Sequence, residues 1–459
     1  MKTPLFALSL LALAGCASTT EVARLEASIS PVAPMAIYRP GPVQPFPPAR
    51  ANAEMVQDFL ELGFQMESGR PIEAFSRYEG PVKVVTRGTP PLTAIPDLDR
   101  LLGRLRAEAG IDITRVPQVA EGDNAIIVEF LPRRQMQAIV PAAACFVVPN
   151  VASWEDFLAN RRSPVIDWTR IAQRTRAAVF IPDDTTPQEI RDCLHEEIAQ
   201  ALGPLNDLFR LTDSVFNDDN FQTTLTGFDM LILRVWHSPE LSPGMSRPQV
   251  ASRLPVLFNR LNPAGRGQPA TLAGETPRVW QLAIEQALSS EGGLSNRREG
   301  AARALALALE QGWNDSRLAL SLMLMARMAP RDRGETALDA LLAAAEIYRR
   351  LPGGEIHAAH IDMHLAVQAL ATGQTQMALD LVNGALPYAQ RTENAAFLAS
   401  LGFIAAEAQA LQGNVAEADR LRLDSMAAAR YGFGSEAAAQ ARLDEIARIA
   451  GAAQRLAAL

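Results

Sequence analysis

The stretch CLHEEIAQALGPLND, residues 193–207, concentrates the side chains best suited to chemistry. Glu196 and Gln200 are four apart and share one face of a helix, with Glu197 beside them. Gly203 marks the helix end, and Asn206 and Asp207 follow it. Glu196, Gln200 and Asn206 could offer oxygen donors to a cation. The donors would then be one carboxylate and two amide oxygens. Such hard, weak donors suit Ca²⁺ better than Zn²⁺, which takes imidazole nitrogen or thiolate. A weakly held metal would not activate its water. Glu197 and Asp207 could instead work as a metal-free acid/base pair, but nothing in the sequence fixes their separation or supplies a sugar platform. Starting the frame at His195 puts Ala199, which has no donor, at the second ligand position. His195 is therefore read as a neighbour of the site.

Two further groups carry reactive types. His357, His360 and His364 lie in HAAHIDMH at spacings of three and four, on one helical face. They could bind a transition metal or form the half-buried polar face of a structural helix; His237 stands alone and is read as structural. Cys145 falls in a strand candidate and Cys193 on the motif helix. In an oxidising compartment a bridge between them would tie that helix to the sheet's edge; the other outcome is two separate buried thiols.

Positioning these residues requires a mixed scaffold. Residues 53–66 and 97–109 read as helices, the second with Leu98, Leu101, Leu102 and Leu105 at helical spacing. Residues 81–86, 113–116, 125–130, 144–148 and 177–181 read as strands. Thr186 is an N-cap, with Pro187 at the first helical position and Glu189 at the capping-box position. Thr226 and Asp229 repeat the cap signal for a later helix. From about residue 276 the chain turns Ala- and Leu-rich. Gly293, Gly334, Gly373 and Gly413 recur about forty residues apart, the last two flanked by Ala366 and Ala378, and by Ala406 and Ala418. This predicts four helix pairs and a terminal helix from about Ser435, similar to tetratricopeptide repeats; the alternative is a plain helical bundle.

The frame around Glu197 resembles the H-E-x-x-H helix of zinc hydrolases, and with Gly203 and Asn206 its metzincin extension. The resemblance implies Glu197 as general base and ligand positions held by Glu196, Gln200 and Asn206. Metzincins carry a Ser-Ile-Met-type turn beneath the metal; here it reads Ser214-Val215-Phe216, with Phe216 replacing the methionine, before Leu225-Thr226-Gly227-Phe228-Asp229. The combination of E-E-x-x-Q-x-L-G, Asn206-Asp207, Ser214-x-Phe216-Asn217-Asp218 and Pro239…Pro243-Gly244-Met245 resembles a bacterial domain family of unknown function grouped with metzincin-like peptidases, over roughly residues 51 to 262. The resemblance implies an α+β domain, a twisted mixed sheet plus two long helices, whose cleft persists without the metal. Glu196, Glu197 and Gln200 are then expected to form a buried polar network holding the Asn206-Asp207 turn. No cofactor is expected, zinc included.

The N-terminus resembles a bacterial lipoprotein signal: Lys2, an apolar run from Leu5 to Leu13, then Leu13-Ala14-Gly15-Cys16. The resemblance implies a signal over 1–15, a lipid on Cys16 and, with Ala17 next, outer-membrane sorting toward the periplasm. Residues 16–50 form a tether rich in proline (Pro31, Pro34, Pro40, Pro42, Pro45, Pro47, Pro48). The folded domains are expected at 51–262 and 276–459. The net charge of −8 and the lack of a basic block argue against nucleic acid. The expected function is a membrane-anchored envelope lipoprotein that binds a peptide or protein without catalysis, through a pseudo-metallopeptidase cleft and a helical-repeat surface. The alternative is an active metal-dependent peptidase with an atypical Glu/Gln/Asn site.

Overall fold

A computed structural model describes residues 38–457 except 40–46, 49, 142, 218, 220, 290, 291 and 330–333. The expected signal with Cys16, the tether prolines from Pro31 to Pro45, and Asp218 lie outside the described residues. Among the described residues, no helix is long and apolar enough to cross a membrane.

The first region is a mixed α/β domain around one five-stranded sheet. Strands β1 (Val82–Gly88), β2 (Ile113–Arg115), β3 (Asn124–Leu131) and β5 (Arg176–Pro182) run parallel, and β4 (Phe146–Pro149) runs antiparallel to β5. The spatial order β2-β1-β3-β5-β4 leaves β4 at an edge. β3 and β5 are buried almost throughout, as expected of strands covered on both faces. Val84, Ile126, Val128, Val179 and Ile181 face helices α1 (Asn52–Gly63), α2 (Ala94–Arg104), α5 (Pro187–Leu202) and α6 (Gly227–Trp236). Val85, Ile127, Ala178 and Phe180 face the other way, under Met136 of α3 (Arg133–Gln137) and Trp154 and Phe157 of α4 (Trp154–Asn160).

Most predicted elements appear within a few residues of their expected bounds. The first helix stops at Gly63, short of 66. Gly63 packs on the Trp236 indole, where a Cβ would lie 2.8 Å from the ring, and Gln65 then bridges to Pro71. The second helix closes in a π turn, Leu105–Ala109, ended by Gly110 at φ 71°. The Pro239–Met245 motif is a loop docked on Phe75, with Gly244 N donating to Phe75 O and Phe75 N to Met245 O. Short helices α7 (Arg247–Ala251) and α8 (Leu254–Leu261) close the domain.

Helix α5 runs through the centre of the molecule. Thr186 Oγ1 accepts from Glu189 N, the expected cap. The reciprocal half of the capping box is not made, because the Glu189 carboxylate turns to Thr185 Oγ1 and Arg133. At the other end, Arg174 donates to the carbonyls of Gln200 (2.6 Å), Ala201 (2.8 Å) and Gly203 (2.6 Å). Its Nε donates to Ser76 Oγ, and its guanidinium lies 4.8 Å from the Trp168 ring. Arg174 is buried and its pKa is pushed down to about 10 by burial. The negative end of the helix dipole and four hydrogen bonds hold the charge. His237 Nε2 adds a bond to Leu202 O.

The second region is all helix: α9 (Arg278–Leu288), α10 (Gly293–Glu310), α11 (Ser316–Met328), α12 (Gly334–Arg350), α13 (Glu355–Ala371), α14 (Thr375–Arg391), α15 (Ala395–Leu411), α16 (Val415–Phe433) and α17 (Glu436–Ala457). These are four consecutive pairs and a last helix. Gly373 and Gly413 fall in the turn inside their pairs at positive φ, while Gly293 and Gly334 open the second helix of theirs. Ala366, Ala378, Ala406 and Ala418 are fully buried, where small side chains let helices cross closely.

From Tyr38 onward the chain packs as one compact unit, so the repeats are not a separate arm. Arg191 of α5 donates to Glu393 O, and Gln188 bonds Asn394 Oδ1 and Ala396 N. Tyr431 donates to Asp97 Oδ2 at 2.6 Å, and Arg100 pairs with Glu393.

Replacing Arg174 tests the helix-end bond set. Arg174→Ala is expected to cost about 3 kcal/mol or more, because buried carbonyls lose their donors. Arg115→Ala, which breaks a half-exposed pair with Asp99, is expected to cost under ~1 kcal/mol. Urea unfolding midpoints check both, and equal losses would contradict the assignment.

Candidate functional site

The polar residues of α5 face different neighbours. His195 is 3% exposed and its Nδ1 accepts from Leu225 N at 3.0 Å. Burial, with Arg104, Arg191 and Arg100 nearby, holds its pKa well below the usual range, so it is a neutral pin for the following loop. Glu197 is also buried, and its Oε2 meets no hydrogen-bond partner. Burial, reinforced by Glu196 and Glu67, pushes its carboxyl well above the usual range.

The Asn206-Asp207 turn is tied to helix α1. Asn206 Nδ2 donates to Glu61 O and Leu205 N to Leu62 O, so the turn hangs from the end of α1. Arg210 then reaches back to Asp58 and Glu61, and Arg50 joins Asp213. The physical reason is reach: the last carbonyls of α1 are orphans that need donors, and the turn passes directly over them. The ligand-equivalent positions have different surroundings. Glu196 lines one cavity, Asp207 lines another with Glu67 and Arg278, and Gln200 and Asn206 are buried.

The Ser214-Val215-Phe216 turn is fastened by Asp229. Its carboxylate accepts from Ser214 Oγ (2.5 Å), Val215 N (3.2 Å), Thr226 N (2.8 Å) and Thr226 Oγ1 (3.0 Å). Thr226 Oγ1 accepts in turn from Asp229 N, completing a capping box for α6. Phe216 is fully buried and its carbonyl accepts from Leu208 N. Burial raises the Asp229 pKa to about 7 against these bonds.

Cys145 and Cys193 form a disulfide. It joins the start of edge strand β4 to α5. Beside it lies a cavity of about 260 Å³ lined by Glu189, Asp192, Glu196, Val215, Asn217 and, from the repeats, Asn394 and Gly432.

The histidine cluster is structural in its contacts. His357 is fully buried, its Nε2 lies 2.8 Å from Asp219 Oδ2, and its ring stacks on Tyr348 at 4.5 Å. His360 stacks on Phe397 at 3.9 Å, and Phe221 packs between both histidines. Burial lowers the pKa of His360 to about 3 and of His364 to about 4. The ligand of this face is the chain's own loop. Phe221 enters here, while Phe209 meets Trp280 edge-on at 5.4 Å. Both phenylalanines belong to the core of the repeats.

Arg174, Arg191, Asp219, Phe209 and Phe221 were not singled out by the sequence. A lone Arg just before a buried strand and two Phe in a polar loop carry no periodic signal. Their partners are distant in the chain.

The donor set does not fit zinc. It offers one carboxylate and two amide oxygens, whereas zinc takes imidazole nitrogen or thiolate. Among the described residues, no three or more His, Cys, Asp or Glu are grouped to hold a metal ion.

Residues 52–256 match the family described as protein of unknown function (DUF2927). Neither a curated protein nor a solved structure matches the chain.

Asp229 makes the turn pH-dependent. It ionises near pH 4 when unfolded and at about 7 in the fold. The folded state therefore keeps an extra proton between these values. The stability from this group is complete below about pH 4 and is lost as pH rises through about 7. Asp229→Asn cannot ionise, so its decline in unfolding free energy over that window should be smaller, by on the order of 2–4 kcal/mol. Parallel pH profiles of the two proteins would reject the role.

Proposed function

We propose that this protein is a lipid-anchored envelope lipoprotein that binds an extended peptide or protein segment without cleaving it, in a degenerate metzincin-like cleft braced by the repeats. The observation that carries the reading is the disulfide-clipped edge: β4, paired on one side only, stands next to a cavity walled by α5 and the Ser214–Asn217 turn. Edge strands accept extended chains by backbone hydrogen bonding, and adjacent pockets select side chains. The strand order with its antiparallel edge, the motif helix beneath the sheet and the turn below it support the metzincin-like reading. Buried Glu197, without a suitable ligand set around it, supports binding over hydrolysis.

The repeats enter this reading in two ways. Their face at α9, α12 and α13 is filled by the loop between α5 and α6, so that surface braces the cleft. A groove of about 660 Å³ along α14, α15 and α16, with Tyr38 at its wall, is the repeat surface left for a partner. The outer-membrane anchor rests on the resemblance at Cys16.

The test is an array of extended peptides probed with the full chain, followed by mass spectrometry of those retained. Bound peptides should be recovered intact, and Glu197→Gln should retain them. Opening the clip with Cys145→Ser should weaken binding about tenfold, through a less ordered edge. Recovery of cleaved peptide that depends on Glu197 would overturn the non-catalytic reading. Failure of any peptide to bind would overturn the peptide-binding one.

A further inference from the structure

The two halves of the Cys145–Cys193 bridge are not equally placed. Cys193 lies inside helix α5 and is 4% exposed, whereas Cys145 is half-buried just before β4. Both line the cavity of about 260 Å³, whose rim includes the exposed Ala144. A thiolate arriving from solvent along that rim meets the sulfur of Cys145 first.

The surroundings of the bridge are also fastened unequally. Among the described residues, no hydrogen bond ties Ala143, Ala144 or Cys145 to α5, the sheet or the repeats, and Ala143 N donates to nearby Val140 O. From Phe146 onward the chain is held without the bridge. Phe146 pairs with Phe180 of β5, and their rings lie 5.2 Å apart. Helix α5 is held without it as well, by Arg174 at its end, by Arg191 and Gln188 toward the repeats, and by His195 toward the following loop. Breaking the bridge therefore frees a short corner and leaves in place both elements that it joins. Because β4 keeps its register, Cys145 stays close to Cys193 and the bond can form again.

We propose that the bridge is a reversible redox latch, opened in the folded protein by a dithiol reductant that attacks Cys145 Sγ. The reductant's thiolate forms a mixed disulfide with Cys145 as the Sγ–Sγ bond breaks. The electron pair of that bond leaves on Cys193 Sγ, which takes up a proton. The reductant's second thiol then gives up its proton and attacks the reductant's own bridged sulfur, releasing Cys145 as a thiolate that is protonated in turn. Two electrons pass from the dithiol, which ends as a disulfide, to the bridge, which ends as two thiols. The reduced form has a loose corner at residues 143–145 and a more open cavity, with the sheet and the repeats unchanged. This exchange requires no peptide, so it holds whether or not the edge of β4 binds one.

The native full chain with dithiothreitol tests this, with the free thiols blocked at intervals and counted by mass spectrometry. Reduction should proceed at a rate nearly independent of urea below the unfolding transition. No reduction there, or a rate that climbs with urea as steeply as global unfolding, would overturn the latch. A thioredoxin-like protein whose second active-site cysteine is replaced by serine cannot resolve the mixed disulfide, and peptide mapping should find it bound to Cys145. An adduct on Cys193 would overturn the assignment of the attacked sulfur. Elastase, which cuts after small residues, should cleave the reduced chain at residues 143–145 about tenfold faster than the oxidised chain, and oxidised dithiothreitol should restore resistance. Equal cleavage of the two forms, or cleavage throughout the reduced chain, would identify a purely structural bridge and overturn the latch.

Discussion

Helix α5 is buried on nearly every side, and this constrains the rest of the molecule. A buried helix cannot send its polar side chains or its terminal carbonyls to water, so each needs a partner inside the protein. The partners come from every direction. Thr186 caps the start, while Arg174 and His237 cap the end. Arg191 and Gln188 reach the repeats, His195 holds the following loop, and Cys193 is bonded to the sheet's edge. The helix serves the sheet domain and the repeats as a common spine. Among the described residues of the helix, Glu197 Oε2 is an exception, and burial raises the pKa of that carboxyl.

The loop between α5 and α6 carries the second consequence. It hangs from the end of α1 through Asn206, is fastened below by Asp229, and drives Phe209 and Phe221 into the repeats. The aromatic and imidazole rings of Tyr348, His357, His360 and Phe397 form its socket. A repeat array stacks helices into a continuous curved surface. Here part of the helical region is occupied by the chain's own loop, which the helices brace. Burial of two Phe side chains is worth roughly 2 kcal/mol or more apiece, so the brace is a substantial part of the fold.

Chemistry and architecture separate at the motif. A zinc site needs three good donors converging on one point, and a general base needs a carboxyl that is ionised near neutrality. The motif positions instead point to two cavities and a buried interior. The disulfide, by contrast, keeps the edge strand and α5 in fixed relation.

Much of the scaffold was legible in the sequence. β-branched runs marked the strands, since strands buried on both faces need continuous apolar residues. Thr186, Pro187, Thr226 and Asp229 marked helix starts, because caps are local chemistry between residues three apart. Gly373 and Gly413 marked turns that need positive φ. All of these signals act over a few residues. The site was less legible. The spacing of Glu196 to Asp207 described one face of one helix, and it could not reveal that Asn206 is held by Glu61 or that Asp207 faces a different cavity. Nor could it place Arg174 beneath α5, seat Phe221 between His357 and His360, or choose between a disulfide and two free thiols. Those outcomes depend on contacts between residues far apart in the chain, and only packing brings them within hydrogen-bond range. The sequence by itself determined the elements and the frame of the motif; the tertiary structure decided which polar groups were buried, paired or left facing a cavity, because burial and pairing exist only once the elements are packed together.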